Sequence, residues 1–304
     1  MHAIEHIKER LTKRHNRQME YTESELSRLH EVLYDILEEI IRVCEICDIP
    51  YFIQGGSAIG AFFEQSILPW DDDIDVGLTR ENYNRFIAQA PALLNKDYIL
   101  QCPYTDPHTP YYFAKVLKRG TMFMDGDFCK IPMMRGIYID VFPFDKVPDT
   151  PSIQKLQRIL CNFLNCCFMG KEVWLWTHFR KPDIREPHKN RNIIATFLNY
   201  IVDLLVPKMT IYKMLSAAQA MFNGRNTKYY NMVLMPRDHI SVESIENPQT
   251  VRFGRLMVQA PSDLETYLRH HYHNLRRYIP KEEQQNHRPE YLSFGDDEAP
   301  ETAD

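Results

Sequence analysis

The chain has 304 residues, 44% hydrophobic and 25% charged, enough for one large buried core or two modest ones. A formal net charge of −5 lacks the basic excess of proteins that coat nucleic acid, so no nucleic-acid partner is expected. Seven scattered cysteines are no dense secreted framework, residues 1–8 lack the apolar core of a signal peptide, and no apolar run is long enough to span a bilayer. These features predict a cytoplasmic protein with reduced thiols.

Residues 1–21 are charged and weakly patterned, an N-terminal arm. Thr22 and Glu25 form a capping-box pattern, and Leu26, Leu29, Leu33, Ile36, Leu37, Ile40, Ile41 and Cys44 follow at helical spacing. That core-facing helix leads into a strand over 51–54. Cys44 and Cys47 lack a second pair at zinc-ribbon distance and read as buried thiols. Next comes a turn, Gln54-Gly55-Gly56-Ser57, whose glycines let backbone N–H groups approach an anion. Then follows Leu68-Pro69-Trp70-Asp71-Asp72-Asp73-Ile74-Asp75-Val76, closing in strand-like alternation. Residues two apart in a strand share a face, so Asp73 and Asp75 project together while Ile74 and Val76 enter the core. Paired carboxylates suit a hard divalent cation with positions left open for phosphate.

Thr79 reads as the N-cap of a short helix carrying Tyr83, Phe86, Ile87 and Ala90 and ending near Pro91. Strands are expected over 98–101 and 111–119, and Thr121-Met122-Phe123-Met124 follows them. Within 137–142 the alternation places Ile137, Ile139 and Val141 on one face and Tyr138, Asp140 and Phe142 on the other. A lone aspartate in an apolar strand is costly to bury unless paired or metal-bound, which marks Asp140 as a third ligand. Asp145, beyond Pro143, is expected in a loop. Apolar helical segments follow over 152–170, 192–206 and 210–223. The second is too short and polar to span a membrane, and with Trp174, Trp176, Lys171, Arg180 and Lys181 nearby it allows a peripheral membrane contact. Cys161, Cys166 and Cys167 have no zinc-ligand spacing. Residues 252–258 read as a strand, and Ser262 with Glu265 as the cap of a helix holding Leu264, Tyr267 and Leu268. His270, His271 and His273 read as surface residues. From Gly295 the chain is acidic, and a disordered tail is expected.

The run Leu68-Pro69-Trp70-Asp71-Asp72-Asp73-Ile74-Asp75 resembles the signature of the LicD/fukutin family of phosphotransferases. Gly136-Ile137-Tyr138-Ile139-Asp140-Val141-Phe142-Pro143 resembles the family's second motif, and residues 279–289 loosely resemble its terminal one. The resemblance implies an α/β (α+β) fold: a nucleotidyltransferase-like mixed sheet flanked by helices, with a mainly helical C-terminal portion. It divides the chain into an arm (1–21), a catalytic core (22–149), a helical portion with the terminal motif (150–294) and an acidic tail (295–304). It also implies transfer of a phospho-alcohol, typically phosphocholine from CDP-choline, to a hydroxyl of a surface glycan or glycolipid such as lipopolysaccharide or teichoic acid. The reaction would run in the cytoplasm or at the inner membrane face. Asp73, Asp75 and Asp140 would hold Mg²⁺ or Mn²⁺ and carry catalysis. Gly55, Gly56, Ser57, Lys115, Arg119 and Thr121 would meet nucleotide or phosphate; Trp70, Asp72 and His287 would meet substrate. Trp70, Tyr111, Tyr112 and Tyr138 could build an aromatic cage for a quaternary ammonium. Two other readings stay open. One is a nucleotidyltransferase that releases pyrophosphate from a nucleoside triphosphate. The other is a non-catalytic metal- or partner-binding module, although the acidic run lacks EF-hand spacing.

Overall fold

The computed structural model describes residues 21–124, 128–175, 205–235, 239–272, 275–284 and 286–295. Among the described residues the first element is α1 (Glu23–Ile46), started by the expected capping box: the Thr22 hydroxyl accepts from the Glu25 N–H while the Glu25 carboxylate accepts from the Thr22 N–H. Its apolar face, including Leu29, Leu33, Leu37 and Ile40, is fully buried against the sheet. Each such side chain contributes about 1.5–3 kcal/mol by leaving water.

Among the described residues the main sheet has seven strands: β1 (Phe52–Ile53), β2 (Asp75–Thr79), β3 (Tyr98–Gln101), β4 (Ala114–Lys118), β6 (Tyr138–Val147), β7 (Tyr229–Asn231) and β8 (Ile240–Ser241). Their order is β1-β2-β6-β4-β3, with β7 joined to the far end of β6 and β8 to β7. Only β2 and β6 run parallel among these pairs. Two helices, α2 (Gly55–Phe63) and α3 (Arg80–Leu93), flank β2 in sequence, and α4 (Pro151–Leu175) packs with α5 (Lys208–Gln219) over a second apolar cluster around Tyr112, Phe168 and Leu215. Short β5 (Met122–Met124) pairs with β11 (Tyr291–Ser293) from the other end of the chain.

Several expectations change. The Gly-Gly-Ser segment is the first turn of α2, not a free turn, with Gly55 at φ +56°. The regular strand starts at Asp75, so Asp73 lies in the irregular stretch before it. Residues 252–258 form two antiparallel arms, β9 (Gln249–Phe253) and β10 (Leu256–Ala260), because Gly254 turns the chain at φ +60° directly against Tyr34. The helix after it, α7 (Leu264–His271), is capped by Asp263, whose carboxylate accepts from the Thr266 N–H; α6 (Val242–Glu246) precedes the hairpin. Thr79 takes the cap position of α3 without a side-chain bond.

Asp145 is not in a loop: β6 continues through Pro143 to Val147. The Asp140 N–H points to β2, where it bonds the Ile74 carbonyl at 3.3 Å, so by alternation the Pro143 nitrogen faces the opposite edge. There the partner changes from β4, which pairs as far as Val141, to β7, which begins at Asp145. The missing donor costs no ladder bond at that gap.

The main core takes Met232, Ile240, Phe253, Val258, Tyr267 and Leu268 together with residues from α1 to β6. All but the last two residues of the expected helix over 192–206, Trp176, Arg180, Lys181, His273, the arm over 1–20 and the tail from 296 lie outside the described residues, as does the side chain of Trp174. No described helix is long and apolar enough to cross a membrane.

Candidate active site

The sheet register assembles the site. Asp75 on β2 is the partner of Asp140 on β6, Asp140 of Lys115 on β4, and Lys115 of Gln101 on β3. Directly paired residues share a face at strand spacing, about 4.8 Å, so these four side chains form one row across the sheet. Ile139 and Val141, on the other face of β6, are fully buried in the core.

The acidic run folds over the start of α2. A Cβ on Gly56 would stand 2.7 Å from an Asp71 carboxylate oxygen, and one on Gly55 would stand 3.1 Å from Asp75. The glycines therefore leave room for carboxylates at the positive end of a helix dipole. Ser57 fastens the arrangement by accepting the Asp75 N–H at 3.0 Å, and the Gly55 N–H is donated to the Tyr267 hydroxyl at 2.9 Å.

Electrostatically, Asp71, Asp73, Asp75 and Asp140 act on one another. Burial first, then neighbouring carboxylates, raise Asp71 and Asp75 well above the usual range. Burial, Asp72 and Asp140 push Asp73 up to about 6. Asp140 is also raised by burial, opposed by Lys115, whose Nζ lies 2.7 Å from Oδ1. Four carboxylates thus share one close lysine.

Asp72 faces elsewhere. It is 3% exposed, and its oxygens accept from the Tyr21 hydroxyl at 2.9 Å and the His287 backbone N–H at 2.8 and 3.0 Å. Asp72 is therefore a tie between the acidic loop and the C-terminal segment, reinforced by Arg288 bonded to Glu25 at 2.8 Å. It also leaves the exposed His287 imidazole beside the cluster, pushed up to about 9 by the Asp72 carboxylate. One ligand atom each from Asp72, Asp73 and His287 lie within 4.8 Å of one another, a possible cation seat.

Other predicted residues are placed apart. Arg119 is exposed past the end of β4, bonded to the Tyr98 carbonyl at 3.2 Å, four residues beyond Lys115 along the chain. The Thr121 hydroxyl donates to Lys118 O at 2.7 Å and accepts the Ile137 N–H at 2.8 Å, so it braces the entry to β6. Trp70 packs against the main core, and Tyr112 is buried in the second cluster. Tyr111 and Tyr138 do come together, but around Lys115, with Phe113 completing the wall.

Sequence reasoning missed Asp71 as a member of the cluster. Its signal is Gly56, which is legible only once the loop is known to cross α2.

With this geometry in view, the comparisons agree with the motifs. Residues 48–158 match the family described as LicD/FKTN/FKRP, nucleotidyltransferase domain. The chain is also similar to the lipopolysaccharide cholinephosphotransferase LicD of Haemophilus influenzae, 26% identical over 272 residues, covering 84% of this chain and 93% of the relative. The matched segment holds α2, the acidic run, Lys115 and Asp140.

Proposed function

We infer that this LicD-type phosphotransferase transfers phosphocholine from CDP-choline to a hydroxyl of a lipopolysaccharide-type glycan, in a divalent-metal-dependent reaction. One observation carries the reading: Asp71, Asp73, Asp75 and Asp140 converge on a helix N-terminus with Lys115 as their one close lysine. The relative's own activity supports the choice of phosphocholine and of a lipopolysaccharide acceptor.

The donor set fits Mg²⁺ or Mn²⁺, because the hard oxygens crowded here outnumber the cations, Lys115 and His287, that the described residues bring to them. Asp73, Asp75 and Asp140 are the residues to hold it. When bound, a divalent ion neutralises the diphosphate and lowers the pKa of the acceptor hydroxyl. The acceptor oxygen attacks the phosphorus that bears choline, the bond to the cytidylate oxygen breaks, and CMP leaves. Asp73 is better suited than Asp140 to take the acceptor proton, since Asp140 is tied to Lys115. His287, exposed beside Asp72 and Asp73, offers the donor a cationic contact. Seven cysteines without a disulfide support a cytoplasmic reaction, which would take place at the inner membrane face where a lipid-linked acceptor is presented.

The test is turnover of a panel of CDP-alcohols with Mg²⁺ and a lipopolysaccharide acceptor, in wild type and in Asp75→Asn. CMP release from CDP-choline that disappears in the variant is the expected result. Pyrophosphate release from a nucleoside triphosphate, with no CDP-alcohol turned over, would replace the transfer by nucleotidyl transfer.

A further inference from the structure

Lys115 is the least ordinary residue of the row. It sits on an interior strand with its side chain 5% exposed, and its ammonium is surrounded by defined partners. The nitrogen lies 3.4 Å from the ring centre of Tyr138, 4.4 Å from that of Tyr111, 5.5 Å from that of Phe113 and 2.7 Å from Asp140 Oδ1. Three rings and a carboxylate around a cation is the arrangement that recognises alkylammonium groups. Here the chain fills it with its own ammonium. The space left beside it, towards Gln101, Met133 and Arg135, is only about 30 Å³, room for water but not for a trimethylammonium group.

We propose that Lys115 is a positioning residue: an internal cation, clamped by Tyr111, Phe113 and Tyr138, that fixes the Asp140 carboxylate for catalysis and keeps this aromatic well closed to the donor's headgroup. The proposal rests on the transfer reading above. It assigns Lys115 to the carboxylate and not to donor phosphate, because the ammonium is already held by Asp140 and the three rings. Choline is then read elsewhere in the site.

Two substitutions separate the roles. Lys115→Met keeps the packing and removes the charge; Lys115→Ala empties the well. CMP release from CDP-choline would be measured with Mg²⁺, with and without millimolar ethylammonium, alongside thermal melting in the absence of any donor. Lys115→Met should lose kcat on the order of 10²-fold with KM for CDP-choline unchanged, as expected when a catalytic group is misplaced and not when a substrate contact is lost. Lys115→Ala should melt lower and lose kcat similarly, and ethylammonium should raise both its melting temperature and its kcat while leaving wild type and Lys115→Met unmoved. A rise in KM with kcat retained would overturn the proposal by making Lys115 a donor contact. Wild-type kcat in Lys115→Met would overturn it too, as would an alanine variant whose melting ignores ethylammonium. If Lys115→Ala does not fold, the kcat and KM of Lys115→Met decide. If wild type itself releases no CMP, the transfer reading fails, and the donor-free melting arm still supports or overturns the ammonium well.

Discussion

Strand β6 carries two aspartates, the half-buried Asp140 near its start and the buried Asp145 near its end, and the two ends of one strand use the same side chain in opposite ways. Asp145 is 1% exposed and met by donors from its own chain: Arg80 Nε at 3.0 Å and Nη2 at 2.5 Å, and the Asn223 amide at 2.8 Å. Arg80 is itself held by Gln219 and Ser216 from α5. Here the charge is matched by a forked guanidinium, and the pair ties the sheet to the helical layer. Asp140 also has a cation, Lys115, but it stands among Asp71, Asp73 and Asp75, which have none so close. The difference teaches that burial of a carboxylate does not by itself mark a site. What marks it is carboxylates in excess of the cations the chain provides.

That contrast can be broken in a definite order. Asp75→Asn should reduce CMP release by about 10³-fold or more, because it removes an oxygen from the shared cluster at the heart of the row. Its melting temperature should hold or rise, since one of several repelling charges is gone; a large fall in melting temperature would mean the cluster is scaffold after all. Asp145→Ala should do the reverse. Stripping Arg80 of its partner leaves a buried guanidinium uncompensated and should cost about 3–5 kcal/mol in urea unfolding, while the molecules that stay folded keep kcat.

The third prediction uses pH. Asp73 has a folded pKa raised to about 6, above the ordinary carboxylate value. A raised folded pKa gives stability that is present below the unfolded value and is lost as pH rises through the folded one. Without metal, melting temperature should therefore fall from pH 4 to pH 7. Added Mg²⁺ should restore it at pH 7 and do little at pH 4.5, where protons already occupy the cluster. Equal Mg²⁺ stabilisation at both values would count against these carboxylates as ligands. The smallest effect expected is that of Tyr21→Phe, which removes one hydroxyl bond to Asp72 and should cost about 1 kcal/mol, with kcat changed less than in any active-site variant.

The motifs were readable because their chemistry is local. The capping box at Thr22, the acidic run and the apolar alternation around Asp140 each declare themselves within ten residues. Asp75 and Asp140 as partners followed from the family resemblance, and the parallel register of β2 and β6 supplies the physical reason. What could not be read depends on distant strands. That Lys115 lies on an interior strand, between β3 and β6, is set by pairings the local sequence does not carry. Asp145 was assigned to a loop because Pro143 usually ends a strand, and only the change of partner strand at that point makes it tolerable. Gly254 breaks the expected strand over 252–258 into a hairpin where it approaches Tyr34, more than two hundred residues away in sequence. Asp72 sat inside the strongest motif, and the same proximity in sequence hid its separate duty as a tie.

That tie sets a schedule. His287 reaches Asp72 across 215 positions, and Tyr291–Ser293 closes on Met122–Met124 across a comparable gap. At ordinary synthesis rates of about 5–20 residues per second, the strap follows the acidic loop out of the ribosome by roughly 10–40 s. Throughout that interval the loop exists without its clasp, its carboxylates already made and open to any divalent ion in the surroundings. The loop is thus made early and fastened late, so the clasp at Asp72 belongs to the closing steps of assembly.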